Sequence, residues 1–235
     1  MKLNFFGIET GLKDMHTSAY FETKDNKIVI IDCPFSAFYK MKRLDLKKYN
    51  EIIFLITHTH GDHIGCLGLA VQLAYFTLKI PVTIIAPSPE VEHKILILLN
   101  DIEGCELEWF NSINAKSKNM KKYDWFKNVI LTEHSPQLKN RCFGYALNID
   151  NTNIIYTGDT STLEPFKPYL TENSEIYIDT SVHYGMIHLK LEDILDYLIS
   201  IKDMNINAYL MHLDDIETAK EIINNIPNIH IPEIK

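Results

Sequence analysis

With 235 residues, 46% of them hydrophobic, the chain is long enough to close one large core of its own. Its 31 acidic against 23 basic residues give a formal charge of −8, which excludes a general electrostatic attraction to nucleic acid and leaves only a local basic patch for that purpose. The four cysteines (Cys33, Cys66, Cys105, Cys142) are scattered with no Cys-x-x-Cys pair, so free thiols in a reducing, cytoplasmic setting are expected.

In chain order, Met1-Lys2-Leu3-Asn4-Phe5-Phe6 reaches Gly7 and Glu9 too soon for a signal peptide, and no later apolar run nears the roughly 20 residues of a membrane span. Residues 2–6, 18–23 and 27–31 have strand composition, the last two joined by the turn Lys24-Asp25-Asn26. Asp32 follows directly, ahead of Cys33-Pro34, where an aspartate commonly forms a turn. The apolar run Ile52-Ile53-Phe54-Leu55-Ile56 reads as a buried strand and leads into Thr57-His58-Thr59-His60-Gly61-Asp62-His63-Ile64-Gly65. Three histidines and an aspartate crowded at a strand end are poorly explained by packing. They are donors that Zn²⁺, Mn²⁺ or Fe²⁺ prefer. In extended backbone His58 and His60 share one face and can grip one ion; Asp62 and His63 follow the turn at Gly61 and can serve a second.

Residues 64–78 have apolar positions at helical spacing, 81–87 hold a short strand, and 89–100 a helix in which His93 is a surface or half-buried histidine. From 111 to 122 the chain is polar and carries Lys116, Lys118, Lys121 and Lys122, the composition of a solvated loop. The second half repeats the strand–loop pattern: 126–132 leads into His134, 142–149 pairs with 153–157, and Asp159 closes the latter. Residues 175–179 are a further strand, 191–202 an amphipathic helix, 208–210 a strand ending at His212, and 215–225 the last helix. Strands alternating with helices in two halves, with no linker between them, predict an α/β chain folded as a single four-layer αββα sandwich over residues 1–235.

The segment His58-Thr59-His60-Gly61-Asp62-His63 after a hydrophobic strand resembles the metallo-β-lactamase superfamily. Leu131-Thr132-Glu133-His134-Ser135 resembles that family's next histidine motif, Ile154-Ile155-Tyr156-Thr157-Gly158-Asp159-Thr160 its strand-Gly-Asp segment, and Tyr209-Leu210-Met211-His212-Leu213 its final histidine. The four blocks occur in the family's order. The resemblance implies that His58, His60 and His134 hold one metal, that Asp62, His63 and His212 hold a second, and that Asp159 bridges them. It implies two divalent ions, Zn²⁺ before Mn²⁺ or Fe²⁺, sharing a hydroxide that is nucleophilic at neutral pH. It also gives Asp32 the role of supporting the metal loop, while His16 is not taken as a ligand.

Within the superfamily, Asp159 stands where metallo-β-lactamases carry cysteine, and His60 where the flavo-diiron branch has glutamate. Few residues follow His212 for the helical region of glyoxalase-type thioesterases. Gly185-Met186-Ile187-His188-Leu189-Lys190-Leu191-Glu192-Asp193 resembles a segment of the phosphodiesterase branch, which includes ribonuclease Z and smaller cyclic phosphodiesterases. In that branch the histidine faces the scissile phosphate, so His188, together with Asp62, is the candidate catalytic residue; His183 is a weaker match. A histidine near neutrality can protonate a departing alkoxide, an effect of about 10²–10⁴-fold. Ile155-Tyr156-Thr157 offers no acid to orient it, which leaves Asp179 or a backbone carbonyl for that task. No Gly/Pro-rich arm for tRNA is evident. The expectation is a dinuclear phosphodiesterase for small or cyclic, nucleotide-like phosphodiesters. The alternatives are a dinuclear acyl hydrolase (lactonase or thioesterase), an RNA 3′-processing nuclease, and a non-hydrolytic binding protein. The expected partner is the small phosphodiester or nucleotide, with no membrane and no stable nucleic-acid complex; the resemblance to the phosphodiesterase branch also implies a homodimer.

Overall fold

The computed structural model describes residues 1–234. Strands β1 (Asn4–Gly7), β2 (Ser18–Glu22) and β3 (Ile28–Ile31) pair antiparallel, with Asn26 in the left-handed region at the hairpin between the last two. The chain then changes mode. Helix α1 (Phe35–Met41) carries it across to β4 (Ile52–Leu55), which lies parallel to β3, because a parallel neighbour needs a crossover. Further crossovers use α2 (Gly61–Ile64) and α3 (Leu67–Gln72) to reach β5 (Val82–Ala86), and α4 (Pro89–Leu96) to reach β6 (Asn111–Asn114). The first sheet is thus ordered β1-β2-β3-β4-β5-β6.

The second sheet repeats the plan. Strands β7 (Phe126–Thr132), β8 (Cys142–Ile149) and β9 (Thr152–Tyr156) are antiparallel, whereas β10 (Glu175–Asp179), β11 (Asn207–Met211) and β12 (Ile229–His230) continue in parallel. Helices α5 (Leu191–Ser200) and α6 (Ile216–Ile222) supply its last two crossovers, the one from β9 to β10 running through the short 3-10 turn Lys167–Tyr169, and the order is β12-β11-β10-β9-β8-β7.

Alternation along the strands sorts side chains into three apolar layers. In β4, Ile52 and Phe54 pack toward α1–α4, while Ile53 and Leu55 point between the sheets. There they meet Tyr145, Tyr156, Tyr177 and Met211 of the second sheet. Beyond it, Ile176, Ile178 and Leu210 pack on Leu191, Leu198 and Ala219. Burial on both faces explains why β4 and β10 read as almost continuous apolar runs. The result is the α/β four-layer sandwich that the sequence predicts.

Local differences have physical causes. The expected helix over 64–78 is divided: α2 ends at Gly65, α3 begins at Leu67, and residues Leu73–Leu78 continue as π-helix. The helix from Pro89 also ends in a π-helical turn, Ile97–Ile102. The expected loop over 111–122 contains β6, an edge strand whose Asn-Ser-Ile-Asn sequence shows no apolar alternation because it is only half covered. The lysines after it are exposed, as a solvated loop requires. Helix α1 and β12 lack a sequence signal strong enough to be anticipated. All four cysteines are buried and free. Among the described residues, no helix is long and apolar enough to cross a membrane.

Candidate metal centre

The polar loops gather at the C-terminal ends of the strands. Asp32, at the end of β3 and in the left-handed region (φ 61°), is fully buried. It accepts hydrogen bonds from the Thr57 amide (2.8 Å) and the Thr57 hydroxyl (2.7 Å), and its Oδ2 lies 2.8 Å from His63 Nδ1. Asp32 therefore fixes both ends of the loop from Thr57 to His63, the supporting role the resemblance implies. At the end of β9, Gly158 adopts φ 60°, where a side chain would strike the Phe143 carbonyl, and this turn delivers Asp159. His212 is also left-handed (φ 59°), and its amide donates to Thr17 Oγ1 at 3.0 Å. That bond offsets part of the strain of a non-glycine residue in this region.

These turns bring all seven expected ligands together in two groups that share Asp159. In the first, His58 Nε2 lies 3.1 Å from His60 Nδ1, and His60 Nδ1 lies 3.3 Å from His134 Nε2. Asp159 Oδ2 is 3.7 Å from His58 Nε2 and 3.5 Å from His134 Nε2. In the second, His63 Nε2 is 3.4 Å from Asp62 Oδ2 and 3.3 Å from Asp159 Oδ1. His212 Nε2 is 3.4 Å from Asp62 Oδ2 and 3.5 Å from Asp159 Oδ2. Donors placed about 2.0–2.1 Å from one tetrahedral ion lie about 3.3 Å from each other, and both groups scatter around that spacing. His63 Nε2, fully buried, has no hydrogen-bond partner of its own and faces this donor set. The residues fit divalent metal, and each group has the composition to hold an ion.

Charge divides the two groups. Burial and the neighbouring His63 hold His58 well below the ordinary histidine range, and burial with His134 lowers His60. In the second group burial also opposes charge, yet Asp159 and Asp32 push His63 well above its ordinary range. His212 is carried up to about 10: burial works against it, but Asp159, with the Asp179 and Asp62 carboxylates, prevails. Despite its burial, Asp62 is lowered by the His212 and His63 rings beside it.

Behind the donors lies a set of contacts that fixes ring orientation. His134 Nδ1 meets the Ile187 carbonyl at 2.8 Å, and His58 Nδ1 meets Thr57 Oγ1 at 3.0 Å. His188 lies at the edge of the centre, its ring centroid 4.9 Å from that of His134 and 4.7 Å from that of His212. Its Nδ1 is 2.7 Å from Asp179 Oδ2, so of the two orienting groups left open by the sequence it is Asp179 that holds it. Asp179 also accepts from the Thr160 amide at 2.7 Å, and its Oδ1 lies 3.4 Å from His212 Nδ1. Burial disfavours charge on His188, but Asp179 more than offsets this and raises it. His183 is not part of the centre: it is more than half exposed and pairs with Asp215 at 3.2 Å. His16 belongs to neither donor group. Thr17, Thr57 and Asp214 are supports that sequence reasoning missed. Asp214 accepts from the Ser181 hydroxyl and from the amides of Val182 and His183 (2.7–3.0 Å), which shapes the segment leading to His188.

A family model described as "Anti-Pycsar protein Apyc1" matches residues 1–226. A ribonuclease Z of Clostridium kluyveri is 27% identical over 146 residues, a stretch covering 59% of this chain and 45% of that protein. The chain thus spans less than half the length of this curated relative. Among solved structures, the metallo-β-lactamase fold protein YhfI from Bacillus subtilis superposes with a TM-score of 0.73 at 14% identity, covering 99% of this chain and 96% of that one. A diphosphatase from the PhnP family superposes at 0.72 and 15% identity, covering 99% and 94%. At such identities the likeness is one of fold, and it is the metallo-β-lactamase fold throughout.

Proposed function

Since the chain belongs to the Anti-Pycsar protein Apyc1 family, within the hydrolases of the metallo-β-lactamase superfamily, we propose that it is a dinuclear, metal-dependent phosphodiesterase acting on small or cyclic phosphodiesters of the cyclic-nucleotide kind. The observation that carries this reading is the pair of donor groups sharing Asp159 with a carboxylate-held histidine, His188, at their edge.

His58, His60, His134 and Asp159 would hold one ion, and Asp62, His63, Asp159 and His212 the other, with Zn²⁺ the first choice for so imidazole-rich a set. When bound, such a pair supplies a hydroxide at neutral pH and neutralises charge on an attacked phosphoryl group. The chain's own residues complete the reaction. Hydrolysis expels an alkoxide that needs a proton. His188 has its Nδ1 engaged by Asp179, so its Nε2 is the nitrogen left to donate. Asp179 favours the charged ring and fixes its direction. Asp32, Thr57 and the Ile187 carbonyl hold the ligand rings in place, so little reorganisation is required on binding.

The architecture and the charge support a small substrate. The interval from His134 to Asp159 is occupied by β8 and β9, and no long Gly/Pro-rich arm is built there. A formal charge of −8 also favours a small ligand over RNA. A cytoplasmic setting, expected from the cysteine pattern, and a homodimer, implied by the resemblance to the phosphodiesterase branch, belong to the same proposal. A sedimenting mass near the 27.2 kDa of one chain at micromolar concentrations would remove the dimer.

The reading is tested with a panel of 2′,3′- and 3′,5′-cyclic nucleotides, bis-(p-nitrophenyl) phosphate, a lactone and a thioester. Turnover of cyclic nucleotides by the metal-loaded protein is expected, with little on the acyl substrates. Preference for the lactone or thioester would overturn it in favour of an acyl hydrolase.

A further inference from the structure

Leu12 and Met186 are the most exposed large hydrophobic side chains among the described residues, at 99% and 92%, and Tyr184 follows, level with Ile102, at 70%. Ile102 ends the helical turn after α4, whereas Leu12, Tyr184 and Met186 lie on loops near the donor groups. Two loops carry them, and both are anchored on the residues that directly follow the ligand His212. The loop bearing Leu12 is closed by paired bonds between Glu9 and Met15, and its Thr10 amide donates to the Leu213 carbonyl at 3.2 Å. Its Gly11 lies so close to the Asp62 carboxylate that a side chain there would come within 2.4 Å of Oδ2. The loop bearing Tyr184 and Met186 is closed by Ser181 on Leu189 and Leu191, and is pinned beneath by the next residue, Asp214. It ends with the Ile187 carbonyl on His134 and with His188 on Asp179. Gly11, the residue before Leu12, therefore touches the second donor group, and Ile187, the residue after Met186, touches the first next to His188.

Apolar side chains left in water on hydrogen-bonded loops at the mouth of a polar site mark a binding surface. A ligand whose phosphate sits on the histidine–aspartate floor extends outward at the rim that these two loops border. An aromatic ring with two aliphatic side chains recognises a flat, weakly polar group. We propose that Leu12, Tyr184 and Met186 form a clamp that holds the nucleobase of a nucleotide whose phosphate lies at the donor groups. This rests on the phosphodiesterase reading and adds to it the part of the substrate that the metal ligands cannot recognise.

The test compares adenosine 5′-monophosphate with inorganic phosphate by titration calorimetry on metal-loaded protein, using Tyr184→Ala, Leu12→Ser and Tyr184→Phe. Loss of one stacking partner weakens base binding by roughly 5- to 100-fold. Tyr184→Ala and Leu12→Ser are expected to weaken the nucleotide by about tenfold and to leave phosphate alone, while Tyr184→Phe restores wild-type affinity because the ring is what matters. In kinetics, the ratio of kcat/KM for adenosine 3′,5′-cyclic phosphate to that for 1-O-methylribose 3′,5′-cyclic phosphate should fall by the same factor in Tyr184→Ala. Equal losses for nucleotide and phosphate, or no loss for either, would overturn the clamp. So would a Leu12→Ser, Tyr184→Ala protein that changes its sedimenting mass while keeping its nucleotide affinity, for the rim would then be a contact between copies. If wild-type protein hydrolyses no phosphodiester yet binds the nucleotide in a Tyr184-dependent way, the phosphodiesterase reading falls and the clamp stands.

Discussion

The two donor groups share a carboxylate and have similar spacing, but they hold protons differently. The first sets three imidazoles against Asp159 alone, and burial keeps His58 and His60 neutral. The second adds Asp62 directly, with Asp32 behind His63 and Asp179 behind His212, and those carboxylates keep both of its imidazoles charged in the metal-free chain. The number of carboxylates around a ring, more than its depth, decides which group stores positive charge. In the second group protons occupy the electrostatic role that a metal ion would take.

The widest separation comes from removing what the groups share. Asp159→Ala should deplete both ions and reduce cyclic-nucleotide turnover by more than about 10⁴-fold, beyond what a general acid alone contributes. His58→Ala should spare part of the second ion, and metal analysis of both variants checks the contrast. An Asp159→Ala protein that keeps a full complement would break the shared-ligand assignment. Next in size is His188→Ala, expected to keep metal and fold but lose about 10²–10⁴-fold on a cyclic nucleotide. Kinetics on a p-nitrophenyl diester should show a smaller loss, because that leaving group needs little protonation.

A third measurement addresses protons directly. Filling the second group must expel them, so its affinity should rise by about tenfold per pH unit for each proton displaced, from the ordinary histidine range up to about 10, where His212 releases its own. The first group should load with little proton release. Competition titrations at several pH values on Asp62→Ala and His58→Ala proteins separate the two. The smallest effect is on stability. The folded values of His63 and His212 lie above their unfolded ones, so the stability they contribute is complete below about pH 6.5 and lost as pH rises through the folded values. The chelated protein should therefore melt several degrees lower at pH 10 than at pH 7, a difference that metal should abolish and that thermal melts would measure.

The first half of this centre is legible in six consecutive positions because its donors lie on one turn after one strand. The second half is not local: His134, Asp159 and His212 each end a different strand, and only their order along the chain relates them. Asp179 was the harder case. It closes an apolar strand as Asp32 does, which is a usable signal, but its pairing with His188 depends on how far the loop from Ser181 folds back. Asp214 carries no signal at all, and the resemblance places Thr17 only in a polar loop near the site, since a threonine that receives the amide of a left-handed His212 is recognisable only when that backbone is known. Strand β6 was missed for the opposite reason: an edge strand needs no apolar alternation.

The chain completes one sheet before it begins the other, so a single passage between β6 and β7, through the exposed lysines, links the two. His58, His60, Asp62 and His63 lie before that passage, and His134, Asp159 and His212 after it. A protein cut between Lys118 and Lys122 would yield two fragments, neither with a complete set of donors. Each fragment would also expose the apolar face that the other normally covers, which drives them to reassociate. Colour from bound cobalt would then appear only on fragments that had found each other, turning the metal centre into a reporter of complementation.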